Sequence, residues 1–221
     1  IPRTRGASQS RPRAAVLDDV ARAIAAGYKE IALTGVHLGS YGRDLPVPSS
    51  LLDLVSELAR RPEDVLFRIS SLEPMDCTPA LVRLIAGSPR LAPHLHLPLQ
   101  HGSDRILRAM KRPYTTASYA RTVRQVRELM PAASIGTDLI VGFPGESDED
   151  FARMIDYVGG LPVSHLHVFP YSDRPDTEAF RMPEKVPGAV VRERARALRA
   201  IGEQKTRAFR AAQVGTERRA L

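Results

Sequence analysis

Gly136-Thr137-Asp138-Leu139-Ile140-Val141-Gly142-Phe143-Pro144-Gly145-Glu146 is the stretch on which the fold turns. Residues 135–141 form a short apolar, β-branched run, which reads as a buried strand. Gly145 turns the chain, and an amphipathic stretch over 149–159 follows. Ser147, three residues before Asp150, resembles a loose capping box for that helix. The same strand-then-helix unit recurs on both sides. Strand-like runs fall at 30–34, 66–70, 95–99 and 166–169. Helix-like stretches fall at 16–26, 51–60, 79–86, 117–130 and 189–210. Repeated βα units predict an α/β fold built on a parallel sheet.

Boundary residues agree with this reading. Gly27 stops the first helix, Ser49-Ser50 offers a cap, and Thr78-Pro79 is an N-cap followed by proline in the first turn. Thr115-Thr116 caps the next helix and Pro131 ends it. In the last helix Val191, Ala195, Leu198 and Ile201 make one apolar face. Arg192, Arg194, Arg196, Arg199, Lys205, Arg207 and Arg210 fill much of the rest, as on a solvated helix packed on a barrel or, alternatively, on a basic surface near RNA. The proline-rich stretch 173–187 reads as the longest loop.

Composition narrows the function classes. The 221 residues carry a formal charge of +7, which favours polyanionic partners. An eight-stranded α/β barrel of ordinary size needs about 250 residues, so a full barrel would be tight. No apolar run approaches a membrane span, and the first residues resemble no signal peptide. The chain lacks an initiator Met, so the expectation is a piece of a longer cytoplasmic protein. Cys77 is the sole cysteine, which excludes a disulfide framework and cannot alone hold a zinc or iron–sulfur site.

Ligands of parallel α/β folds bind at the carboxyl ends of the strands, so candidate residues are sought there. The first strand ends in Thr34-Gly35-Val36-His37-Leu38-Gly39-Ser40-Tyr41-Gly42, whose glycines permit close backbone approach and whose hydroxyls suit an amino-acid head group. The second ends in Ser70-Ser71-Leu72-Glu73-Pro74, where a Ser and a Glu can grip a ribose or an ammonium, or else cap the next helix. The third carries His94, His96 and Gln100. His94 and His96 alternate on one strand face, a metal-ligand spacing. No late strand end offers a carboxylate to complete such a site, so they are expected to line a polar interior, with no metal ligands and no acid–base catalyst. In the fourth, Asp138 interrupts an apolar strand and needs a partner or a ligand. Val141, Gly142 and Phe143 offer backbone groups and an apolar wall to a flat ring. The fifth brings Phe169 and Tyr171, which can stack near a ligand or pack in the core.

Taken together, IPRTRG, LTGVHLGSYG, ISSLEP, HLHLPLQHGSDRILRAMKRPY, IGTDLIVGFPGESDEDF and HVFPYSDRPDT resemble the radical S-adenosylmethionine methylthiotransferases. The resemblance implies a partial (β/α)6 TIM-like barrel over residues 1–186, its amino-terminal strand and cluster loop truncated. A basic helical extension over 187–221 follows. It further implies S-adenosylmethionine as cofactor, together with a [4Fe–4S] cluster whose three cysteines would precede Ile1, so that this chain alone is expected to be inactive. By the same resemblance, Thr34, Gly35 and Val36 would meet the amino-acid end of S-adenosylmethionine. Ser71, Glu73, Gln100 and Asp138 would add polar contacts, and Val141, Gly142, Phe169 and Tyr171 would lie on the adenine side. Arg3 and Arg5 would lie near the cluster or RNA. The implied partners are the region of adenosine 37 in the tRNA anticodon loop and an electron donor. TGVHLGSYG and SSLEP look like the branch acting on threonylcarbamoyladenosine. The isopentenyladenosine branch, the ribosomal-protein branch and a metal-dependent barrel hydrolase using His94 and His96 are the alternatives.

Overall fold

The computed structural model describes Gly6 and residues 9–217; Arg3 and Arg5 therefore lie outside the described residues. The chain forms two compact units, one running to His94 and the other from Leu95. Each is built on a parallel sheet, as the alternating pattern predicts.

In the first unit α1 (Arg13–Ala25) leads into β1 (Glu30–Leu33), followed by α2 (Leu51–Ala59), β2 (Leu66–Ile69) and α3 (Pro79–Gly87). Gly27 ends α1 with φ +88°. Its N–H donates to Ile24 O and the Tyr28 N–H donates to Ala23 O, which satisfies two terminal carbonyls. Ser50 and Asp53 cap α2 reciprocally, and the Thr78 hydroxyl accepts the Leu81 N–H at the start of α3. β1 and β2 pair in parallel, Glu30 opposite Leu66 and Leu33 opposite Ile69. Leu91 runs parallel beside Phe67 and extends the layer. Val55, Leu58, Phe67, Val82 and Ile85 are buried between sheet and helices; each such side chain contributes roughly 1.5–3 kcal/mol.

The second unit opens within β3 (His94–His96) and continues with α4 (Asp104–Ala109), α5 (Thr116–Leu129), β4 (Ser134–Val141), α6 (Asp148–Gly160), β5 (His165–Pro170), α7 (Glu178–Arg181) and α8 (Gly188–Ala211). Its strands lie in the order β3-β4-β5. β4 and β5 are parallel, with Gly136 opposite His165 and Val141 opposite Pro170. The fully buried Tyr119 of α5 donates its hydroxyl to Leu97 O at 2.7 Å and lies 2.9 Å from Thr137 Oγ1, so one aromatic side chain ties α5 to β4 and to the residue that follows β3.

α8 packs along β5 and touches β4. Val191, Ala195 and Leu198 are buried there, as the apolar spacing predicts. Lys205 Nζ donates to Gly159 O at 3.0 Å and Leu161 O at 2.7 Å, placing a cation on the negative end of α6. Two local features differ from the sequence reading. The loop 173–187 contains the single turn α7, and the six-residue α4 lies within the block that follows Gln100. Among the described residues no helix is long and apolar enough to cross a membrane.

Candidate functional site

The first unit brings two predicted segments to neighbouring parallel strand ends. Thr34, Gly35 and Val36 leave β1 exposed to solvent, before a 3-10 turn at Leu38–Ser40. They border a cavity of about 750 Å3 whose walls include Val20, Leu33, Leu38, Tyr41 and Leu54. A Cβ on Gly35 would come 2.9 Å from Leu38 Cδ2, so the glycine keeps this edge of the cavity clear. Tyr41 Oη is buried and has no hydrogen-bond partner among the described residues; burial raises its pKa above the ordinary phenol value. The cavity thus combines an apolar wall with an uncompensated hydroxyl, which suits a ligand with both apolar and polar parts. Ser71 and Glu73 follow β2. They are not helix caps, because Thr78 caps α3; the Glu73 carbonyl instead accepts the Asp76 N–H at 2.9 Å. Asp76 in turn lies 2.8 Å from His37 Nε2.

The second unit brings Gln100, Val141, Gly142, Phe169 and Tyr171 to the ends of three neighbouring strands. Gln100 bridges to β4: its N–H donates to Asp138 O and its carbonyl accepts the Ile140 N–H, both at 2.8 Å. It does so at φ +70°, a conformation that costs a non-glycine residue about 1–3 kcal/mol and is typical of functional positions. The Tyr171 N–H donates to Val141 O at 2.8 Å. The Tyr171 ring meets Phe143 edge to face at 5.5 Å between centroids. Phe169 is half-exposed, so of the two roles the sequence leaves open it does not take the core one.

Below these strand ends the turn after β4 is fixed by a buried network. Gly142 has φ +81°, and a Cβ there would collide with Val191 of α8. Its N–H donates to Glu146 Oε2 at 2.7 Å. His101 Nε2 lies 3.2 Å from the same oxygen, while the Ser103 N–H donates to His101 Nδ1 at 3.0 Å. Since Nδ1 is thereby an acceptor, Nε2 carries the proton and donates to Glu146. Arg194 Nη1 donates to Glu146 Oε1 at 2.6 Å and Nη2 to Asp148 Oδ1 at 2.5 Å. Sequence reasoning placed Arg194 on the solvated face of its helix. It is buried because this carboxylate compensates its charge. Nearby, burial opposes ionisation of Asp150, but Arg105, Ser103 and Ser147 outweigh it and hold the carboxyl well below its ordinary value.

One cluster was missed in the sequence. Asp138 Oδ1 lies 3.0 Å from His96 Nε2 and 3.2 Å from His167 Nδ1. The sequence reading paired His96 with His94 and found no carboxylate; the fold pairs it with Asp138 on the neighbouring strand and His167 on the next. Burial disfavours the Asp138 carboxylate, yet the adjacent His96 and His167 bring it below its usual pKa. His167 carried no signal of its own, because its partners are distant in sequence. Cys77 is buried, and burial pushes its thiol up to about 12.

Comparison with known proteins adds the following. The family model for the radical SAM superfamily matches residues 1–158. The chain is 39% identical over 221 residues, all of its length and 53% of the relative's, to the threonylcarbamoyladenosine tRNA methylthiotransferase MtaB of Aquifex aeolicus. It is also 39% identical over 198 residues, 90% of this chain and 44% of the relative, to the tRNA-2-methylthio-N(6)-dimethylallyladenosine synthase of Pelotomaculum thermopropionicum. The chain spans about half the length of these relatives. Among solved structures, the fold resembles the radical S-adenosylmethionine methyltransferase TsrM from Kitasatospora setae, with a TM-score of 0.58 and 18% identity over 72% of this chain and 29% of that one. It also resembles the coproporphyrinogen III oxidase HemN from Escherichia coli, a radical SAM enzyme, with a TM-score of 0.53 and 18% identity over 90% of this chain and 46% of that one.

Proposed function

The chain belongs to the radical SAM superfamily, and from that premise we propose that it is the S-adenosylmethionine-binding part of a methylthiotransferase acting on threonylcarbamoyladenosine in tRNA. The observation that carries this reading is the 39% identity to the Aquifex aeolicus enzyme along the whole of this chain. The TGVHLGSYG and SSLEP segments support the threonylcarbamoyladenosine branch.

The residues present fit S-adenosylmethionine. The cavity at the end of β1, its glycine edge and the unpartnered Tyr41 hydroxyl suit a ligand with both polar and apolar parts. They do not fit an iron–sulfur cluster, since the sole cysteine is buried and holds its proton firmly. When bound and given one electron by a reductant, S-adenosylmethionine would supply the radical, with methionine leaving, and a second role for it would be methyl donor. The protein's part is position and exclusion of water. Thr34, Gly35 and Val36 receive the methionine end, and Ser71 and Glu73 add polar contacts. By the family resemblance, Val141, Gly142, Phe169 and Tyr171 are the candidates for the adenine side. Gln100 and Asp138 contribute to the polar surroundings.

The barrel part comprises residues 1–186. We read the part from residue 187 onward as a basic extension; its described helix, α8, packs on β5 and exposes Arg192, Arg196 and Arg199. A tRNA substrate implies a cytoplasmic protein served by an external electron donor. The identity to the Pelotomaculum thermopropionicum synthase favours a second reading, in which the substrate is dimethylallyladenosine.

The test is to express the full-length protein in cells that lack both methylthio modifications and to analyse the tRNA nucleosides by mass spectrometry. Methylthiolated threonylcarbamoyladenosine is expected. Methylthiolated dimethylallyladenosine would replace the first reading by the second, and neither product would overturn both.

A further inference from the structure

We propose that His96, Asp138 and His167 form a site for a divalent transition-metal ion of the zinc type. The proposal shares Asp138 with the polar surroundings proposed for S-adenosylmethionine, but it rests on the geometry of the three side chains alone. The three side chains come from three adjacent parallel strands. Asp138 and His167 are direct register partners on β4 and β5, and His96 comes from β3 on the other side of β4. One ligand atom from each lies within 4.8 Å of the others. Zinc bonds to nitrogen and oxygen are about 2.0–2.2 Å long, so tetrahedral ligands stand roughly 3.3 Å apart. The distances from Asp138 Oδ1 to His96 Nε2 and His167 Nδ1, 3.0 and 3.2 Å, match that separation.

Two further observations point to a ligand. Asp138 Oδ1 is buried, yet neither nitrogen meets it in hydrogen-bond geometry. A cation held between the three groups would satisfy that oxygen. Gly136, opposite His165 on β5, keeps the space behind the cluster open. A Cβ there would run into His165 Nε2 and lie 2.9 Å from His96 Nδ1, so a larger residue would push the rings out of place.

Two imidazoles and one carboxylate suit zinc and its neighbours in the first transition row. They leave at least one coordination position for water or another oxygen donor. Half-exposed His167 gives the ion a route in. A bound ion would also clip β3, β4 and β5 together.

The experiment uses the whole chain, stripped with a chelator and then titrated with Zn2+ by calorimetry and with Co2+ by visible absorption. One zinc per chain is expected, with a cobalt spectrum free of thiolate charge-transfer bands. Asp138→Asn and His167→Gln should each weaken zinc binding at least tenfold, whereas His94→Gln should leave it unchanged. Circular dichroism checks the fold of each variant; if Asp138→Asn unfolds, the half-exposed His167 decides. Failure to bind one equivalent, a thiolate spectrum, or binding unchanged by His167→Gln would overturn the proposal. These outcomes are read from metal binding alone, whereas the S-adenosylmethionine reading is decided by the nucleoside products and by cleavage of S-adenosylmethionine.

Discussion

Arg194 Nη1 donates to Glu146 Oε1 at 2.6 Å, and both side chains are buried. The contact joins the last helix to the turn after β4, because the other Glu146 oxygen holds the Gly142 N–H. Removing the carboxylate would leave the buried guanidinium, among the described residues, with the exposed Asp148 as its remaining carboxylate partner, beside the Glu146 carbonyl and the Phe151 ring. Glu146→Gln is therefore expected to cost about 3 kcal/mol of stability. Urea denaturation measures it, and a loss below about 0.5 kcal/mol would show that the pair carries little weight.

Asp150 predicts a pH dependence. Its buried carboxylate accepts from Ser103 Oγ at 2.7 Å and Ser147 Oγ at 2.8 Å and pairs with Arg105. These contacts outweigh burial and depress its folded pKa. A depressed carboxylate stabilises the fold fully above its unfolded pKa, about 3.9, and that stability is lost as pH falls toward the folded value. Asp150→Asn should thus be less stable than the parent at pH 7. Its urea midpoint should also fall less steeply with acid between about pH 5 and pH 2. Parallel curves for the two proteins would contradict this account of Asp150.

Gly142→Ala tests the turn that the proposed adenine contacts depend on. The residue has φ +81°, and its missing Cβ would collide with Val191. Alanine should cost about 1–3 kcal/mol through backbone strain and crowding together. Adding Val191→Ala removes the crowding but not the strain, so thermal denaturation should show partial rescue. Full rescue would mean that positive φ is not what the turn requires.

Much of the fold was legible because its signals are local. The apolar run that became β4 sits within one residue of its predicted start. Ser50, Thr115 and Ser147 cap their helices as their positions suggest. The short α4 and α7 escaped notice because six and four residues give too little periodicity to see. The strand-end segments were legible as candidates, since glycines and hydroxyls interrupt β-branched runs there. What sequence could not show was pairing across long separations. Arg194 looked like one more solvated arginine until Glu146, 48 residues away, accounted for its burial. Asp138 was recognised as needing a partner, but the identity of that partner depended on the strand order β3-β4-β5.

The central claim is that this fold uses S-adenosylmethionine as a radical source. The most direct measurement is anaerobic incubation of the full-length protein, its iron–sulfur cluster reconstituted, with S-adenosylmethionine and a strong reductant. Formation of 5′-deoxyadenosine and methionine is predicted. Intact S-adenosylmethionine in the presence of a complete, reduced cluster would contradict the claim.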